Sequence, residues 1–157
     1  MSQNVYKKVD YTLSGLIEKI NLGEIALPDL QRPFIWKNSQ VRNLFDSLYL
    51  GYPVGFFLFW ETDGMASAKS IGTDEKQKQV QLLVVDGQQR LTSLFAVVKG
   101  VEVIRENFSR GTIEIAFDPI NEKFEVANVT TLKSRNFIPN ISKLWEPDVD
   151  ILSLIHI

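Results

Sequence analysis

The chain contains no cysteine and only one histidine, His156. The lack of cysteine excludes disulfide bonds, thiolate nucleophiles and cysteine-ligated metal sites within these residues. A single histidine close to the last residue argues against a histidine-based catalytic triad or a zinc site. Any chemistry must therefore use carboxylates, guanidinium or ammonium groups, hydroxyls, amides or a bound ion.

The sequence also lacks a strong charge of one sign and any long apolar run. Its formal net charge is −2, so bulk electrostatics gives no indication of non-specific nucleic-acid binding. The longest apolar run, from Val54 to Trp60, is far too short to span a bilayer. Residues 1–8 do not contain the apolar core of a signal peptide. We therefore expect a cytoplasmic protein without a membrane partner.

Helical periodicity is the clearest pattern that is present. The 157 residues, of which 45% are hydrophobic and 23% charged, are enough for one globular domain with a sizeable core. Apolar residues recur at i, i+3, i+4 and i+7 in three stretches, which predicts helices over residues 12–21, 39–50 and 88–99. Thr12 is the expected N-cap of the first helix. The expected C-terminal stops of the three helices are, in order, Gly23, Gly51 and Gly100.

Shorter apolar segments predict strands between these helices. We expect strands at residues 24–27, 55–60 and 81–85, the last two buried. Residues 61–79 have no periodicity and predict a surface loop, either a lid or an insertion. Alternating apolar residues around a turn predict an antiparallel hairpin near residues 112–126 with one solvent-exposed face. The predicted fold class is α+β, a small mixed sheet flanked by helices with a C-terminal β-hairpin.

The periodic signal weakens after residue 130. We expect residues 131–157 to begin a following, helical region that is truncated in this sequence. The last seven residues, 151–157, are apolar and uncapped, which is unusual for the end of a natural domain. This pattern predicts either a fragment or an ending that is not native sequence.

The strongest candidate site is the motif that follows the strand at residues 81–85. It consists of Asp86, Gly87, Gln88, Gln89 and Arg90. A strand that turns into a helix here places free backbone N–H groups, a carboxylate and a guanidinium at one spot. Because a helix N-terminus carries unpaired donors and the positive end of its dipole, this spot suits a phosphate-bearing ligand. The alternative is a helix capped by Asp86, with the other polar residues on the surface.

Two further segments have residues suited to a ligand. Gln31 and Arg32 follow a predicted strand and precede Pro33, which fixes the local backbone. The planar donor fork of Arg32 suits a phosphate, and the alternative is that it pairs with a surface carboxylate. Gly55 ends a short Gly-Tyr-Pro-Val-Gly stretch, where glycine permits close approach of backbone to a ligand. Its alternative role is a plain connection between a helix and a strand.

The three segments together resemble a known family. Leu-Gln-Arg-Pro-Phe-Ile-Trp at residues 30–36, Leu-Gly-Tyr-Pro-Val-Gly at 50–55 and Val-Asp-Gly-Gln-Gln-Arg-Leu-Thr-Ser-Leu at 85–94 are similar to the N-terminal domain of GmrSD-like type IV restriction enzymes. That domain is of the GmrS type and belongs to the ParB/sulfiredoxin-like superfamily. The resemblance implies a ParB/sulfiredoxin-like nucleotide-binding domain over residues 1–130.

The resemblance implies a regulatory function. It implies an anti-phage restriction system in which this domain binds and hydrolyses a nucleoside triphosphate, with GTP, ATP and CTP not distinguished, and controls an HNH-type nuclease that cuts modified or foreign phage DNA. Such a nuclease needs histidines that this chain lacks, so we expect it C-terminal in the intact protein or on a separate chain, with DNA contacted through that partner. A nucleotide- or DNA-binding module without turnover, as in ParB partition proteins, is the alternative. Sulfiredoxin chemistry needs a thiol and is excluded.

The same resemblance assigns roles to the motif residues. The nucleotide-binding residues that it implies are Gln31, Arg32, Gly55, Asp86, Gly87, Gln88 and Arg90, and the catalytic ones are Asp86, Gln88, Gln89 and Arg90. On chemical grounds the arginines would balance charge on the transferred phosphoryl group. Asp86 would either hold Mg²⁺ or orient the attacking water. Either glutamine could position that water instead.

Overall fold

The computed structural model describes residues 6–28, 33–62, 68–69 and 80–147. Four α-helices lie in this part of the chain: α1 (Leu13–Asn21), α2 (Asn38–Tyr49), α3 (Gln88–Lys99) and α4 (Val129–Lys133). The strands are β1 (Ile25–Pro28), β2 (Leu58–Glu61), β3 (Ala68–Lys69), β4 (Leu82–Asp86), β5 (Val103–Ile104), β6 (Arg110–Gly111), β7 (Ile115–Asp118) and β8 (Lys123–Val126). A 3₁₀ helix covers Ile141–Trp145. The predicted α+β class and all three predicted helices are confirmed.

The helix ends follow local chemistry. The Thr12 hydroxyl accepts a hydrogen bond from the Gly15 amide at 3.1 Å, so it caps α1 as predicted. α3 ends at Gly100, which has a left-handed φ of 64° that glycine adopts without steric cost. None of the helices in the described ranges has the length and apolar character of a membrane span.

The main sheet has four strands in the order β2-β4-β1-β3. β4 runs parallel to β1 and antiparallel to β2, and β3 pairs antiparallel with β1. The sheet is therefore mixed, as expected. The surface-loop prediction for residues 61–79 is wrong at residues 61 and 68–69, which lie in β2 and β3. A two-residue strand is too short to leave a periodic signal. Residues 63–67 and 70–79 lie outside the described part.

The core lies between this sheet and the helices. α3 is buried on most of its surface, because every residue from Ser93 to Val98 is buried. It packs against α1, α2 and the 3₁₀ helix. Its N-terminus is thereby fixed at the end of β4, where the candidate site lies.

Two predictions about strand burial are wrong. β2 was expected to be buried, but Leu58 and Trp60 are 55% and 68% exposed, because β2 is an edge strand whose outer face is not covered. In β4 only Val84 is fully buried, and Val85 is exposed. An apolar run alone does not distinguish a strand covered on both faces from one covered on a single face.

The β7–β8 hairpin is confirmed, with Phe117 opposite Phe124. The prediction that one face of the hairpin is exposed to solvent is wrong for β7, because Ile115, Ala116 and Asp118 are all buried. The physical reason is that Phe117 also exchanges two backbone hydrogen bonds with Ile138 from the next segment. That contact places residues 138–145 against the domain. The predicted boundary near residue 130, and the helical region expected beyond it, stay predictions.

Candidate functional site

The motif from Asp86 to Arg90 forms the junction between β4 and α3. Asp86 is the last residue of β4, Gly87 is the N-cap, and α3 begins at Gln88. Gly87 has a φ of 90°, which disfavours any residue with a side chain. A Cβ atom at this position would also lie 2.7 Å from Cδ1 of Phe57. Only glycine therefore permits the close approach of these two segments.

The N-cap of α3 is Gly87, which has no side chain that could accept a hydrogen bond from the first helical amides. The first intrahelical hydrogen bond runs from the Leu91 amide to the Gly87 carbonyl at 2.9 Å. The amides of residues 88–90 therefore precede the helical hydrogen-bond ladder, and they give this end of the helix an excess of donors. The alternative interpretation, a cap by Asp86, is wrong, because Gly87 occupies the cap position and the Asp86 side chain is 77% exposed.

Arg90 holds the segment that precedes β2. Its Nη1 donates to the Val54 carbonyl and its Nη2 to the Phe56 carbonyl at 2.9 Å. The guanidinium also lies over the ring of Phe57, with Cζ 5.1 Å from the centroid. Asp86 is its carboxylate partner at 3.7 Å. A guanidinium carries five N–H donors, so two hydrogen bonds to carbonyls leave others for a ligand.

Gly55 lies between the two carbonyls that Arg90 binds. Its φ is 86°, and a Cβ atom there would lie 2.5 Å from Nη1 of Arg90. Gly55 thus provides the space that the guanidinium occupies. The structure places this predicted nucleotide-binding residue against Arg90.

The two glutamines of the motif point to different partners. Gln89 accepts a hydrogen bond from the Ile35 amide at 3.0 Å and donates one to the Pro33 carbonyl at 3.2 Å. Gln88 donates to the Val84 carbonyl of β4 at 3.2 Å. Both atoms of the Gln89 carboxamide therefore bind backbone, whereas only the nitrogen of Gln88 has a hydrogen bond among the described residues.

Gln31 and Arg32, the other predicted binding residues, lie outside the described part of the chain. The description resumes at Pro33, whose carbonyl binds Gln89. The predicted convergence of Arg32 and Arg90 on one ligand therefore stays a prediction. What the structure brings together is α3, residues 33–35 and residues 54–57.

Arg105 is a residue that the sequence analysis missed. Its Nη1 donates to the Trp36 carbonyl at 2.7 Å, and its Nη2 donates to Oδ1 of Asn38 at 2.6 Å. The guanidinium also lies over the ring of Phe34, 5.3 Å from the centroid. No sequence signal marks it, because these partners lie 67 to 71 positions earlier in the chain.

A metal ion at Asp86 was also predicted. Within the described ranges no group of three or more acidic or histidine side chains is placed to hold a metal. A single exposed carboxylate suits Mg²⁺ only when the phosphates of a bound nucleotide supply further oxygen ligands. Asp86 is therefore the residue that would hold such a cation once a nucleotide is bound, and the predicted metal site stays a prediction.

Comparison with known proteins agrees with this arrangement of motifs. An uncharacterized protein of Methanocaldococcus jannaschii, MJ0686, is 31% identical over 147 residues, which cover 88% of this chain. The aligned part is 21% of that protein, so the chain spans about a fifth of its relative. The model of the family described as GmrSD restriction endonuclease, N-terminal domain, matches residues 13–153, which include all three motif segments. The chain therefore belongs to the family of N-terminal domains of GmrSD restriction endonucleases.

Proposed function

We propose that this domain binds and hydrolyses a nucleoside triphosphate and thereby regulates the nuclease of a restriction system. The observation that carries the proposal is the N-terminus of α3, which begins at a glycine cap and is held between residues 33–35 and residues 54–57 by Gln89 and Arg90. Unpaired amides at a helix N-terminus, next to a guanidinium and a glycine, favour a phosphate group.

Each motif residue would make a different contact with the nucleotide. The amides of residues 88–90 would donate to phosphate oxygens, and Gly87 would let the backbone approach them. Arg90 would contribute positive charge and its remaining N–H donors. Gln31 and Arg32 would add contacts from the segment before Pro33, and Gly55 would act through the position of Arg90. When bound, Mg²⁺ would neutralise phosphate charge and link it to Asp86.

Hydrolysis would require a residue that orients water. Of the two glutamines, Gln88 suits this role better, because its carboxamide oxygen has no hydrogen bond among the described residues, whereas Gln89 uses both of its polar atoms. Asp86 is the alternative, since its carboxylate is exposed beside Arg90. The transition-state charge would be balanced by Arg90.

The partner in this proposal is a nuclease domain. The family description names an N-terminal domain of a restriction endonuclease, and the relative from Methanocaldococcus jannaschii extends far beyond the matched part. We propose that an HNH-type nuclease lies in a C-terminal region or on a separate chain, and that DNA is contacted through it. Nucleotide binding or turnover in this domain would then control that nuclease.

A second candidate is a ParB-like nucleotide- or DNA-binding module without turnover. It is favoured by the hydrogen bonds that already engage Arg90 and Gln89, because both side chains bind backbone and so hold the site together rather than reach a reacting group. In this case the same helix N-terminus would bind the nucleotide as a regulatory ligand.

The experiment that tests the proposal is a titration of the chain with GTP, ATP and CTP, each with Mg²⁺, together with measurement of phosphate release. We expect binding of at least one nucleotide and slow turnover. Replacement of Arg90 by alanine should reduce turnover by about 10²–10³-fold, the usual effect of losing one donor to a developing charge.

Arg135→Ala is the matched control, because Arg135 is exposed and lies outside the site. Circular dichroism would establish that both variants fold. Binding without phosphate release would favour the second candidate. Unchanged turnover in Arg90→Ala would contradict the role proposed for Arg90.

A further inference from the structure

The segment from Pro33 to Asn38 is held in place although almost none of it is regular secondary structure. It connects the chain before Pro33 to α2, and only Asn38 belongs to a helix. Phe34 is buried in the core, whereas Ile35 is exposed. Two side chains from distant parts of the chain bind its backbone: Gln89 binds Pro33 and Ile35, and Arg105 binds Trp36.

On one side, the Pro33–Asn38 segment is bound by a side chain of α3. The Gln89 carboxamide accepts from the Ile35 amide and donates to the Pro33 carbonyl, at 3.0 and 3.2 Å. In a sheet, a neighbouring strand also accepts one hydrogen bond from a backbone amide and donates one to a backbone carbonyl. The Gln89 carboxamide makes this same pair of bonds. Gln89 therefore fastens the segment directly beside the first turn of α3.

The second side is formed by β5 and the residue that follows it. The Phe34 amide donates to the Ile104 carbonyl at 3.0 Å. Arg105 then binds the Trp36 carbonyl and Asn38, and its guanidinium covers the ring of Phe34. A planar guanidinium that binds two acceptors and an aromatic face at once cannot be replaced by lysine without loss of geometry.

We infer that Gln89 and Arg105 are positioning residues, which together hold the Pro33–Asn38 segment as one wall of the nucleotide site. This inference rests on the proposed nucleotide-binding function. It takes Gln89 out of the set of catalytic candidates, because both polar atoms of its side chain bind backbone. It also gives Arg105 an indirect role, because among the described residues its side-chain hydrogen bonds run to Trp36 and Asn38 and hold the segment from the side away from Gln89.

A positioning role predicts a different kinetic effect from a catalytic one. When the wall is not preorganised, part of the binding free energy is used to order it, so affinity falls. Once nucleotide is bound, the reacting groups on α3 are unchanged. We expect Gln89→Ala and Arg105→Ala each to raise Kd about tenfold, which corresponds to about 1.4 kcal/mol. The value of kcat at saturation should stay within about twofold of wild type.

The test is calorimetric titration of the full chain with GTP, ATP and CTP in the presence of Mg²⁺, combined with turnover at saturating nucleotide. Arg105→Lys should behave like Arg105→Ala. Asn128→Ala is the matched control. The Asn128 side chain accepts hydrogen bonds from two backbone amides at the start of α4, so the substitution destabilises the fold but removes no contact of the Pro33–Asn38 segment. A decrease of kcat in Gln89→Ala with unchanged Kd would overturn the inference, as would unchanged values of both.

Amide hydrogen exchange separates this inference from the proposed function. The Ile35 amide should exchange faster in Gln89→Ala than in wild type, while the Phe34 amide, which binds the Ile104 carbonyl, keeps its rate. Equal exchange of Ile35 in both proteins would overturn the positioning role even if nucleotide binds. If none of the three nucleotides binds wild type, the proposed function fails, and the exchange rates still decide whether Gln89 holds the segment.

Discussion

The position of the Arg90 guanidinium requires that residue 55 has no side chain. Arg90 binds the carbonyls on both sides of Gly55, and its Nη1 occupies the space that a side chain at position 55 would need. A larger residue at this position would have to displace the guanidinium that the proposed site uses. The requirement for glycine here is therefore both conformational and steric.

The first prediction separates these two effects with a pair of glycine variants. Gly51 and Gly55 both have a left-handed φ, of 72° and 86°, but only Gly55 has a neighbour within 4 Å of an added Cβ. Gly51→Ala should cost about 1–2 kcal/mol of unfolding free energy through its backbone conformation alone. Gly55→Ala should cost more than this and should also weaken nucleotide binding. Urea denaturation and nucleotide titration measure the two effects.

Gly111→Ala is the control without either effect, because its added Cβ meets nothing within 4 Å and its φ is not left-handed. Equal losses of unfolding free energy in Gly51→Ala and Gly55→Ala, with unchanged nucleotide affinity, would show that the steric contact with Arg90 affects neither stability nor binding.

Residue roles were only partly predictable. The sequence indicated close backbone approach at Gly87 and Gly55, because glycine beside a strand end is a local signal of it. The structure shows this approach to Phe57 and Arg90, whereas the predicted approach to a ligand stays a prediction. The sequence did not indicate that Gln89 and Arg105 hold the Pro33–Asn38 segment. These contacts join residues 54 to 71 positions apart, and a side chain that binds distant backbone leaves no periodic trace in either segment.

At the scale of elements, the β7–β8 hairpin depends on a buried carboxylate. Asp118 ends β7, and its oxygens accept hydrogen bonds from the Asn121 side chain at 2.8 Å and from the amides of Ile120 and Asn121 at 2.9 and 3.1 Å. The Asn121 side-chain hydrogen bond is the largest cause that holds the pKa of Asp118 below its usual value, and the two amides act in the same direction against burial. The turn is therefore stabilised by the ionised form.

The second prediction follows from the sign of this shift. A carboxyl with a lowered pKa in the folded state contributes stability above its unfolded pKa of about 3.9, and this contribution is lost as the pH falls through the folded value. Asp118→Asn should be less stable than wild type by about 1–2 kcal/mol near pH 6. The difference should shrink below about pH 4. Urea denaturation across this range measures it.

Asp10→Asn is the comparison for this measurement, because Asp10 is exposed and, among the residues that the structure describes, its ion pair is a loose one with Lys8 at 3.8 Å. It should leave the unfolding free energy nearly unchanged at every pH. A stability difference between wild type and Asp118→Asn that stays constant from pH 6 to low pH would contradict the ionic contribution.

The sequence predicted which segments form helices and strands better than it predicted how buried those elements are. The helices over residues 12–21, 39–50 and 88–99 agree with α1, α2 and α3 within one residue at each end, since an amphipathic stripe and terminal glycines are local features. The burial of β2 was not predictable, because exposure depends on which strand becomes the edge of the sheet. That order is set by pairing between segments far apart in sequence.

At the scale of the whole molecule, the core extends beyond the predicted boundary near residue 130. Ile138 and Ile141 are almost fully buried. The backbone of Ile138 pairs with that of Phe117, and Ile141 belongs to the core cluster. The 3₁₀ helix that contains Ile141 packs against both α3 and β7. A single sequence did not reveal this packing, because isolated isoleucines between prolines form no periodic pattern.

The last prediction concerns a chain shortened to residues 1–130. Removal of each buried isoleucine leaves a cavity that costs about 2–5 kcal/mol. The two together approach the total stability of a typical domain, about 5–15 kcal/mol. The shortened chain should therefore be unfolded or should unfold at a much lower urea concentration than the full sequence. Ile141→Ala in the full chain isolates one part of this effect and should cost about 2–5 kcal/mol. A cooperative transition at the same urea midpoint in the shortened chain and in the full sequence would instead establish that the domain folds without the segment after residue 130, and that the boundary expected from the sequence holds.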